Sequence, residues 1–426
     1  MESKLESSMT RRDFLKTTGA FAVGALTANY SPYIHAEGKV TLRVLGTHVT
    51  LQTELRQRAE QELGIKLVFE PRGDAELLER GQHNPDSYDI YEHWSDAINL
   101  LWKSKAIQPI DTKRLTYWTE VNNLTKTGKI SPNAKIGLGD APVRIIHIQE
   151  DGSLGMTETG KISFMPYVHN VDAFGYNTKI IPKAKAYEEE SWGWLLDERW
   201  KGKVTLVNAP TIGMFDLALA AQAKGLMAFK DIGNMTRQEI DKLFEIMIKM
   251  KEHGHFCNLW NSVPESVEFF KQGEAVIGSM FSPAIASLNG EGMAVEYAAP
   301  KEGYRAWHGV MCLSAKTKGR EQDAAYEYMN WWLSGWAGAF ISRQGYYISN
   351  ASRSKQHMSE AEWAYWYEGK PATEDLRGTD GNVSVRKGEV RNGGSYEQRF
   401  SNIHVWNTVM PEYNYSVQRW NEFLFA

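Results

Sequence analysis

The sequence predicts an α/β protein of two domains, and three observations lead to this fold class. The chain has 426 residues, which is more than one hydrophobic core normally organises. Apolar residues make up 42% and charged residues 23%, a composition typical of globular proteins. Strand-like and helix-like segments alternate in both halves, and this alternation favours mainly parallel sheets that are covered by helices on both faces.

The first half begins with a clear βαβ pattern. Leu51, Leu55, Ala59 and Leu63 follow one another at helical spacing, and Gly64 is a typical end for that helix. Apolar segments with strand character flank it on both sides. The elements predicted in this half are strands over 40–45, 65–70 and 88–92 and helices over 51–63, 74–80 and 96–103.

The second half repeats the alternation after a Gly-rich, polar stretch at 133–160, which we interpret as an irregular insertion. Residues 371–395, with many glycines and charges, are predicted to be an exposed loop. The elements predicted between them are strands over 161–176, 204–207, 275–280 and 310–314 and helices over 192–200, 215–225, 237–253, 266–271, 321–333 and 335–342.

The N-terminus has the composition of an export signal. Arg11-Arg12 precede Phe14-Leu15-Lys16, which resembles the twin-arginine motif, and a Gly/Ala-rich apolar run follows over 17–28. We expect the twin-arginine machinery to export the folded chain to the periplasm and residues 1–36 to be removed by cleavage after Ala36. No later segment has 18 consecutive apolar residues, so we expect a soluble mature protein.

The charge of the chain bears on its partners, and its cysteines bear on its redox state. The net charge is −4, and no long basic run follows the N-terminus, which argues against a nucleic-acid partner. The two cysteines, Cys257 and Cys312, form no CxxC motif. They are expected as two buried free thiols, or as one disulfide in an oxidising compartment.

An exported hydrolase or redox enzyme is the main alternative, because the twin-arginine route often carries cofactor enzymes. His253, His255 and Cys257 alternate as zinc ligands on a strand could, but only three candidates are present and they follow a long helix. The sequence contains no P-loop, GxSxG or HExxH motif and no GxGxxG after a strand. We therefore expect no catalytic residue, no metal and no cofactor.

Several short segments resemble the spermidine/putrescine-type branch of ABC-transporter solute-binding proteins over roughly residues 40–350. Their order and spacing carry the resemblance. The segments are Glu62-Leu63-Gly64-Ile65-Lys66, Tyr88-Asp89-Ile90, Ile107-Gln108-Pro109-Ile110-Asp111, Met165-Pro166-Tyr167, Gly175-Tyr176-Asn177, Ser191-Trp192, Trp200-Lys201-Gly202-Lys203-Val204, Gly273-Glu274-Ala275 and Pro300-Lys301-Glu302-Gly303.

The resemblance implies a two-lobed periplasmic-binding-protein fold, in which each lobe is a mixed, mainly parallel sheet flanked by helices. Two or more hinge crossings would join a first lobe of residues 37–167 and 282–316 to a second lobe of 168–281 and 317–426. It also implies a monomer that delivers a small-molecule solute to an ABC permease and its ATPase at the inner membrane.

The candidate ligand residues are those at strand ends and loops that would face the cleft between the lobes, where ligands of open α/β sheets bind. Trp94, Phe281, Trp307 and either Tyr346 or Tyr347 could form an aromatic box around an organic cation or a planar apolar ligand. Alternatively, each ring packs the lobe interface. The full candidate set is Thr47, His48, Trp94, Ser95, Asp96, His169, Asn208, Phe281, Trp307, Tyr346 and Tyr347.

The cleft loops lack the carboxylates that the resemblance to polyamine binders implies. The loop after Val207 reads Asn208-Ala209-Pro210, and Gly309 follows Trp307-His308. A dication without paired carboxylates would be costly to bury. Asp96, with Glu92 nearby, could meet one positive charge, so we expect a compact, singly charged or zwitterionic nitrogenous solute. Histidines in the same loops leave a small carboxylate as an alternative ligand.

Overall fold

A computed structural model describes residues 38–426, and the predicted signal at 1–36 lies outside the described residues. Val40–Ala426 form one compact unit. Within the described part of the chain, no helix has both the length and the apolar character needed to cross a membrane.

The shortest strands have two residues and the longest has 13, and we number them in chain order. They are β1 Thr41–Gly46, β2 Lys66–Pro71, β3 Ile90–Trp94, β4 Ile107–Gln108, β5 Ile110–Asp111, β6 His147–Ile148, β7 Leu154–Gly155, β8 Lys161–Ile162, β9 Met165–Asn177, β10 Val204–Val207, β11 Phe256–Trp260, β12 Ile277–Met280, β13 Val295–Tyr297, β14 Tyr304–Ser314, β15 Tyr347–Ile348, β16 Leu376–Arg377, β17 Val383–Val385 and β18 Ile403–Trp406.

The α-helices are numbered in the same way. They are α1 Thr53–Leu63, α2 Asp74–His83, α3 Ile98–Lys103, α4 Asn123–Thr127, α5 Pro142–Ile145, α6 Pro210–Ala223, α7 Arg237–Glu252, α8 Val263–Lys271, α9 Ser282–Gly290, α10 Gly319–Leu333, α11 Trp336–Ser342, α12 Ala351–Lys355, α13 Glu360–Trp366, α14 Tyr396–Phe400 and α15 Tyr413–Phe425.

Local sequence signals explain where two of the predicted helices begin or end. Helix α1 ends at Gly64, whose φ of 68° is the left-handed conformation that glycine adopts without a steric penalty. Helix α7 begins directly after Thr236, which caps it by forming a capping box with Glu239, so that the backbone N–H groups of both residues have partners.

One mixed sheet runs through the whole compact unit, with its main strands in the order β11-β10-β12-β9-β14-β3-β1-β2. The pairs at each end are parallel: β1 with β2 and β3, and β10 with β11 and β12. The long strands β9 and β14 lie in the middle and pair antiparallel with each other. Each end of the sheet is therefore a βαβ unit, and two long strands connect them.

Two hydrophobic cores lie on either side of these connecting strands. The first core is formed by β1–β3, α1, α2, α10 and α11, and the second core by β10–β12, α6, α7 and α15. Strand β9 passes from the first core at Val168 to the second at Val171, and β14 returns from Ala306 to Trp307.

The predicted lobe bounds stay a prediction, since Val40–Ala426 form one compact unit, but the two cores meet at other positions of the chain. The return to the first core lies at 306–307 rather than at Ser282, because α9 packs its buried Ala284 and Leu288 with Met280 of β12 in a small third cluster. Helices α10 and α11 pack in the first core rather than the second. They do so because β14, which precedes them, ends on the first-core side.

The two irregular stretches of the sequence also have defined packing. In the 133–160 stretch, Leu138 forms a parallel bridge to Val405 of β18. The 371–395 stretch, predicted as an exposed loop, contains the hairpin of β16 and β17 and buries Val385 and Arg391. Both cysteines are free thiols.

Candidate functional site

A small cavity lies where β3, β9 and β14 meet the end of β12, between the two cores. We call it the central cavity. Its volume is about 30 Å³, far below the roughly 300–1,000 Å³ that is typical of small-molecule sites. The two sides are thus closed on each other. The lining residues are Val49, Trp94, Asp172, Ile212, Phe281, Trp307, Tyr346 and Asn407.

Aromatic rings form most of the first-core side of the central cavity. Trp94 and Trp307 lie edge to face, with ring centroids 4.7 Å apart, and Tyr346 packs against Trp307 at 5.5 Å. Phe281 approaches from the second-core side and packs edge to face against Trp260 at 5.0 Å. Such T-shaped contacts are the favoured geometry of aromatic pairs, so these rings also stabilise one another.

A buried carboxylate that the sequence analysis missed, Asp172 on β9, completes the central cavity. The Trp307 Nε1–H donates to Asp172 Oδ2 at 2.8 Å, and the Tyr297 hydroxyl donates to Oδ1 at 2.8 Å. Burial raises the pKa of Asp172 to about 6, although Arg305 opposes this increase. A carboxylate ionised at neutral pH therefore lies among aromatic rings.

Arg305 on β14 balances part of this charge and is shared between two acids. Its Nη1 lies 3.7 Å from Asp172 Oδ2, while its Nε donates to Asp216 Oδ1 at 2.6 Å. The Ser279 hydroxyl donates to the other oxygen of Asp216 at 2.7 Å. With both carboxylates ionised, this buried group carries a net charge of −1, which favours a monocation over an anion in the adjacent cavity.

Four of the eleven predicted ligand residues lie together at the central cavity: Trp94, Phe281, Trp307 and Tyr346. Thr47 and His48 do not line it, and His48 is exposed; their neighbour Val49 does. Asn208 lies elsewhere, where its amide group donates to Asn261 and accepts from the Trp420 Nε1–H.

Ser95 and Asp96 are buried directly after Trp94 but do not line the central cavity. Ser95 Oγ and Asp96 Oδ1 have no hydrogen-bond partner. Burial raises the pKa of Asp96 to about 7, and His93 acts in the opposite direction. His93 itself bonds to Asp74 at 2.7 Å, so it is not a ligand-facing donor.

His169 and Tyr347 also lie outside the central cavity. His169 Nε2 bonds to the Tyr396 hydroxyl at 2.7 Å, and the Tyr347 hydroxyl donates to the Trp366 carbonyl at 2.9 Å. Burial lowers the pKa of His169 well below its usual value and that of His308 to about 4. These histidines are therefore neutral at pH 7 and supply no positive charge for a carboxylate ligand.

Position 309, where the resemblance implies an acidic residue, is crowded by neighbouring side chains. It lies at a register shift between β9 and β14, and an added Cβ would be 2.5 Å from Val168 Cγ1. That distance is far inside van der Waals contact. A side chain at this position would force its neighbours to move, and the acid of the central cavity comes from the neighbouring strand.

The described residues contain no group of three or more His, Cys, Asp or Glu side chains that could hold a metal ion. The alternating residues of the possible zinc site have other partners. His255 Nε2 bonds to the Leu195 carbonyl at 2.8 Å, and the Cys257 thiol donates to the Val204 carbonyl at 3.2 Å.

Comparison with known proteins identifies the fold. Residues 59–366 match the family model of bacterial extracellular solute-binding proteins. The structure resembles the spermidine/putrescine ABC transporter substrate-binding protein PotD of Streptococcus pneumoniae, with 14% identity, a TM-score of 0.59 and coverage of 91% of this chain and 99% of that one. No curated protein matches the sequence.

Two further structures share this fold. The TpPotD lipoprotein of Treponema pallidum has 12% identity and a TM-score of 0.63, over 91% of this chain and 100% of its own. The PBP AgtB of A. tumefaciens, in complex with agropinic acid, has 13% identity and a TM-score of 0.53, over 92% of this chain and 100% of its own. The predicted two-lobed periplasmic-binding-protein fold is confirmed.

Proposed function

Because the chain belongs to the family of bacterial extracellular solute-binding proteins, we propose that it is the solute-binding component of an ABC importer. It captures a small amine with one positive charge, alone or as part of a zwitterion, and delivers it to a permease and its ATPase. The transport role is supported by the likeness to a spermidine/putrescine ABC transporter substrate-binding protein.

The observation that carries the ligand class is the set of aromatic rings around a buried carboxylate. Trp94, Trp307 and Tyr346 offer ring faces or edges beside Asp172. Cations are attracted to ring faces, with about 2 kcal/mol or more gained at a desolvated contact. A dication would need a second carboxylate to offset its desolvation, and the net charge of the buried group is only −1.

Binding requires the two cores to move apart, because the central cavity is too small for an organic solute. Strands β9 and β14 connect the cores and are the natural hinge. Opening about them would separate Trp94, on the first-core side, from Phe281, on the second-core side. A solute that contacts both rings stabilises the closed form, and the permease would recognise that form.

Calorimetry on the purified chain tests this proposal with defined probes. The panel is tetramethylammonium, glycine betaine, putrescine and acetate, each at the same ionic strength. We expect saturable binding of tetramethylammonium or glycine betaine and about tenfold weaker binding of putrescine, a difference of about 1.4 kcal/mol. Preferred binding of putrescine or acetate would contradict the proposed ligand class.

A matched pair of variants separates the cavity from other tryptophans. Trp94→Leu keeps apolar bulk in the cavity but removes the ring face, so the affinity for the cation should fall about tenfold. Trp102→Leu makes the same change at a partly buried tryptophan that does not line the cavity and should leave the affinity unchanged. The same affinity for the cation in both variants would contradict the proposed aromatic site.

We also propose that the chain reaches the periplasm folded, through the twin-arginine machinery, and is cleaved after Ala36. Replacing Arg11-Arg12 by a lysine pair keeps the charge and alters the twin-arginine motif. The variant should accumulate uncleaved in the cytoplasmic fraction, whereas the native chain should yield a periplasmic form whose N-terminal sequence begins at Glu37. A periplasmic lysine-pair variant would contradict this route.

A further inference from the structure

A second, larger cavity lies on the second-core side, between α9, β13 and the 383–392 stretch. We call it the α9 cavity. Its volume is about 530 Å³, and none of its lining residues lines the central cavity. That volume lies within the range of about 300–1,000 Å³ that is typical of small-molecule sites.

Two buried arginines line the α9 cavity. Arg391 is 8% exposed and Arg399 is fully buried. Arg391 donates to the Tyr347 hydroxyl and, at 3.3 Å, to the Gly345 carbonyl. Arg399 donates to the Tyr304 hydroxyl at 3.2 Å and to main-chain carbonyls. All these acceptors are neutral.

Within the described part of the chain, neither guanidinium group has a carboxylate partner. Among residues 38–426, no carboxylate oxygen lies within 4 Å of a nitrogen of Arg391 or Arg399, and Arg399 Nε has no hydrogen-bond partner at all. Glu190, the buried acid of this region, instead accepts from the Asn392 amide at 2.9 and 3.0 Å. Buried cations are normally paired, since desolvation of an unpaired charge costs several kcal/mol.

The rest of the lining matches an anion that has an apolar body. The wall carries four basic side chains, Lys183, Arg386, Arg391 and Arg399, against two acidic ones, Glu296 and Glu389, a net charge of +2. Apolar and aromatic side chains complete the wall: Ile285, Met293, Val295, Tyr365 and Trp366.

We propose that the α9 cavity binds a small organic carboxylate. Its oxygens accept hydrogen bonds from Arg391 and Arg399, a charge-assisted geometry in which guanidinium groups excel. Its apolar part packs against Trp366 and Ile285. This site is additional to the amine site of the central cavity and does not depend on it.

Titration calorimetry of the full chain with sodium benzoate tests the site, with inorganic phosphate and sodium chloride at equal ionic strength as comparisons. We expect saturable binding of benzoate, about tenfold weaker binding of phosphate and no binding of chloride. Equal binding affinities for all three salts, or no saturable heat with benzoate up to about 10 mM, would overturn the proposal.

Two variants and two controls locate the site. Arg391→Gln removes one guanidinium group, and Ala286→Trp adds bulk to the cavity wall without substituting either arginine; each should weaken benzoate binding about tenfold or more. Arg199→Gln, at an exposed arginine, and Trp94→Leu, in the central cavity, should leave it unchanged. Native affinity for benzoate in both Arg391→Gln and Ala286→Trp would overturn the proposal, whatever the outcome of the amine titrations.

Discussion

Glu92 lies on β3 in the first core and is fully buried. The hydroxyl groups of Thr50 and Tyr167 donate to its Oε2 at 2.7 and 3.0 Å, but Oε1 has no partner. Burial raises the pKa of this carboxyl to about 7, even though the hydroxyl groups of Thr50, Tyr167 and Tyr328 around it favour the ionised form. This group should make the stability of the protein depend strongly on pH.

The sign of that dependence follows from the two pKa values. In the unfolded chain the carboxyl ionises near its ordinary value of 4.5, and in the folded chain it ionises at about 7. Between these values the folded state keeps a proton that the unfolded state has lost, so stability falls as the pH rises through this window. The full loss is about 3 kcal/mol, because one pKa unit corresponds to about 1.4 kcal/mol.

Glu92→Gln replaces the carboxyl by an amide that stays neutral at every pH and can still accept from Thr50 and Tyr167. Relative to the native chain, the variant should gain about 2.5 kcal/mol of stability between pH 5 and pH 8, because part of the full loss already occurs below pH 5. Other buried acids contribute equally to both proteins, so the difference between the two isolates Glu92.

Urea unfolding at pH 5 and pH 8, at constant ionic strength, measures this difference. The matched control is Glu150→Gln, the same substitution at an exposed glutamate, which should reproduce the pH dependence of the native chain within about 0.5 kcal/mol. The reasoning would be refuted by a Glu92→Gln protein whose unfolding free energy changes with pH as the native one does.

Four other single substitutions and one double variant have expected outcomes of known direction. Trp94→Ala and Trp307→Ala should each weaken monocation binding about tenfold or more by calorimetry, and unchanged affinity in both would remove the aromatic site. Asp216→Ala leaves the buried Arg305 without its closest acid and should destabilise the fold by about 3–5 kcal/mol in urea unfolding, whereas Asp216→Leu combined with Arg305→Met should restore much of that loss. Gly309→Ala should cost about 1–3 kcal/mol by overpacking against Val168, and a melting temperature equal to the native one would contradict this.

The first βαβ unit could be predicted from the sequence because its signals are local. Helical spacing of apolar residues, the glycine at 64 and the flanking apolar strands all act within a few turns of chain. The boundary between the two cores could not be predicted in the same way. Strands β9 and β14 each belong to both cores, and nothing within a strand's own sequence marks where one core ends and the next begins.

The aromatic part of the central cavity was predictable because rings at strand ends converge when strands share a sheet. The choice between Tyr346 and Tyr347 was not. Successive residues of an extended segment point to opposite sides, so one tyrosine faces the cavity and the other the second core. Only the pairing of β15 with β9 fixes which side each takes.

The buried arginines of the α9 cavity had no local signal. Arg391 lies in a stretch rich in glycine and charged residues, a composition that normally indicates exposure. Its burial depends on Tyr347 and Trp366, whose rings lie about 5.0 Å from the guanidinium carbon and which come from distant parts of the chain. Burial of this kind is set by tertiary contacts, which composition does not report.

The position of Asp172 bears on how the proposed site would recognise the charge of its ligand. The loops at the strand ends lack acids, and from the loops alone the cleft has little negative charge. The carboxylate lies instead on a connecting strand, opposite Arg305 in the β9–β14 register and bonded to Trp307 of the same strand as Arg305. Because these three residues sit on two strands that pair with each other, they should keep their geometry as the cores separate, while Trp94 and Phe281 move with their own cores. In the proposed binding mode, a charge fixed at the hinge and rings that close over it would favour a compact cation, since an extended one would hold the rings apart.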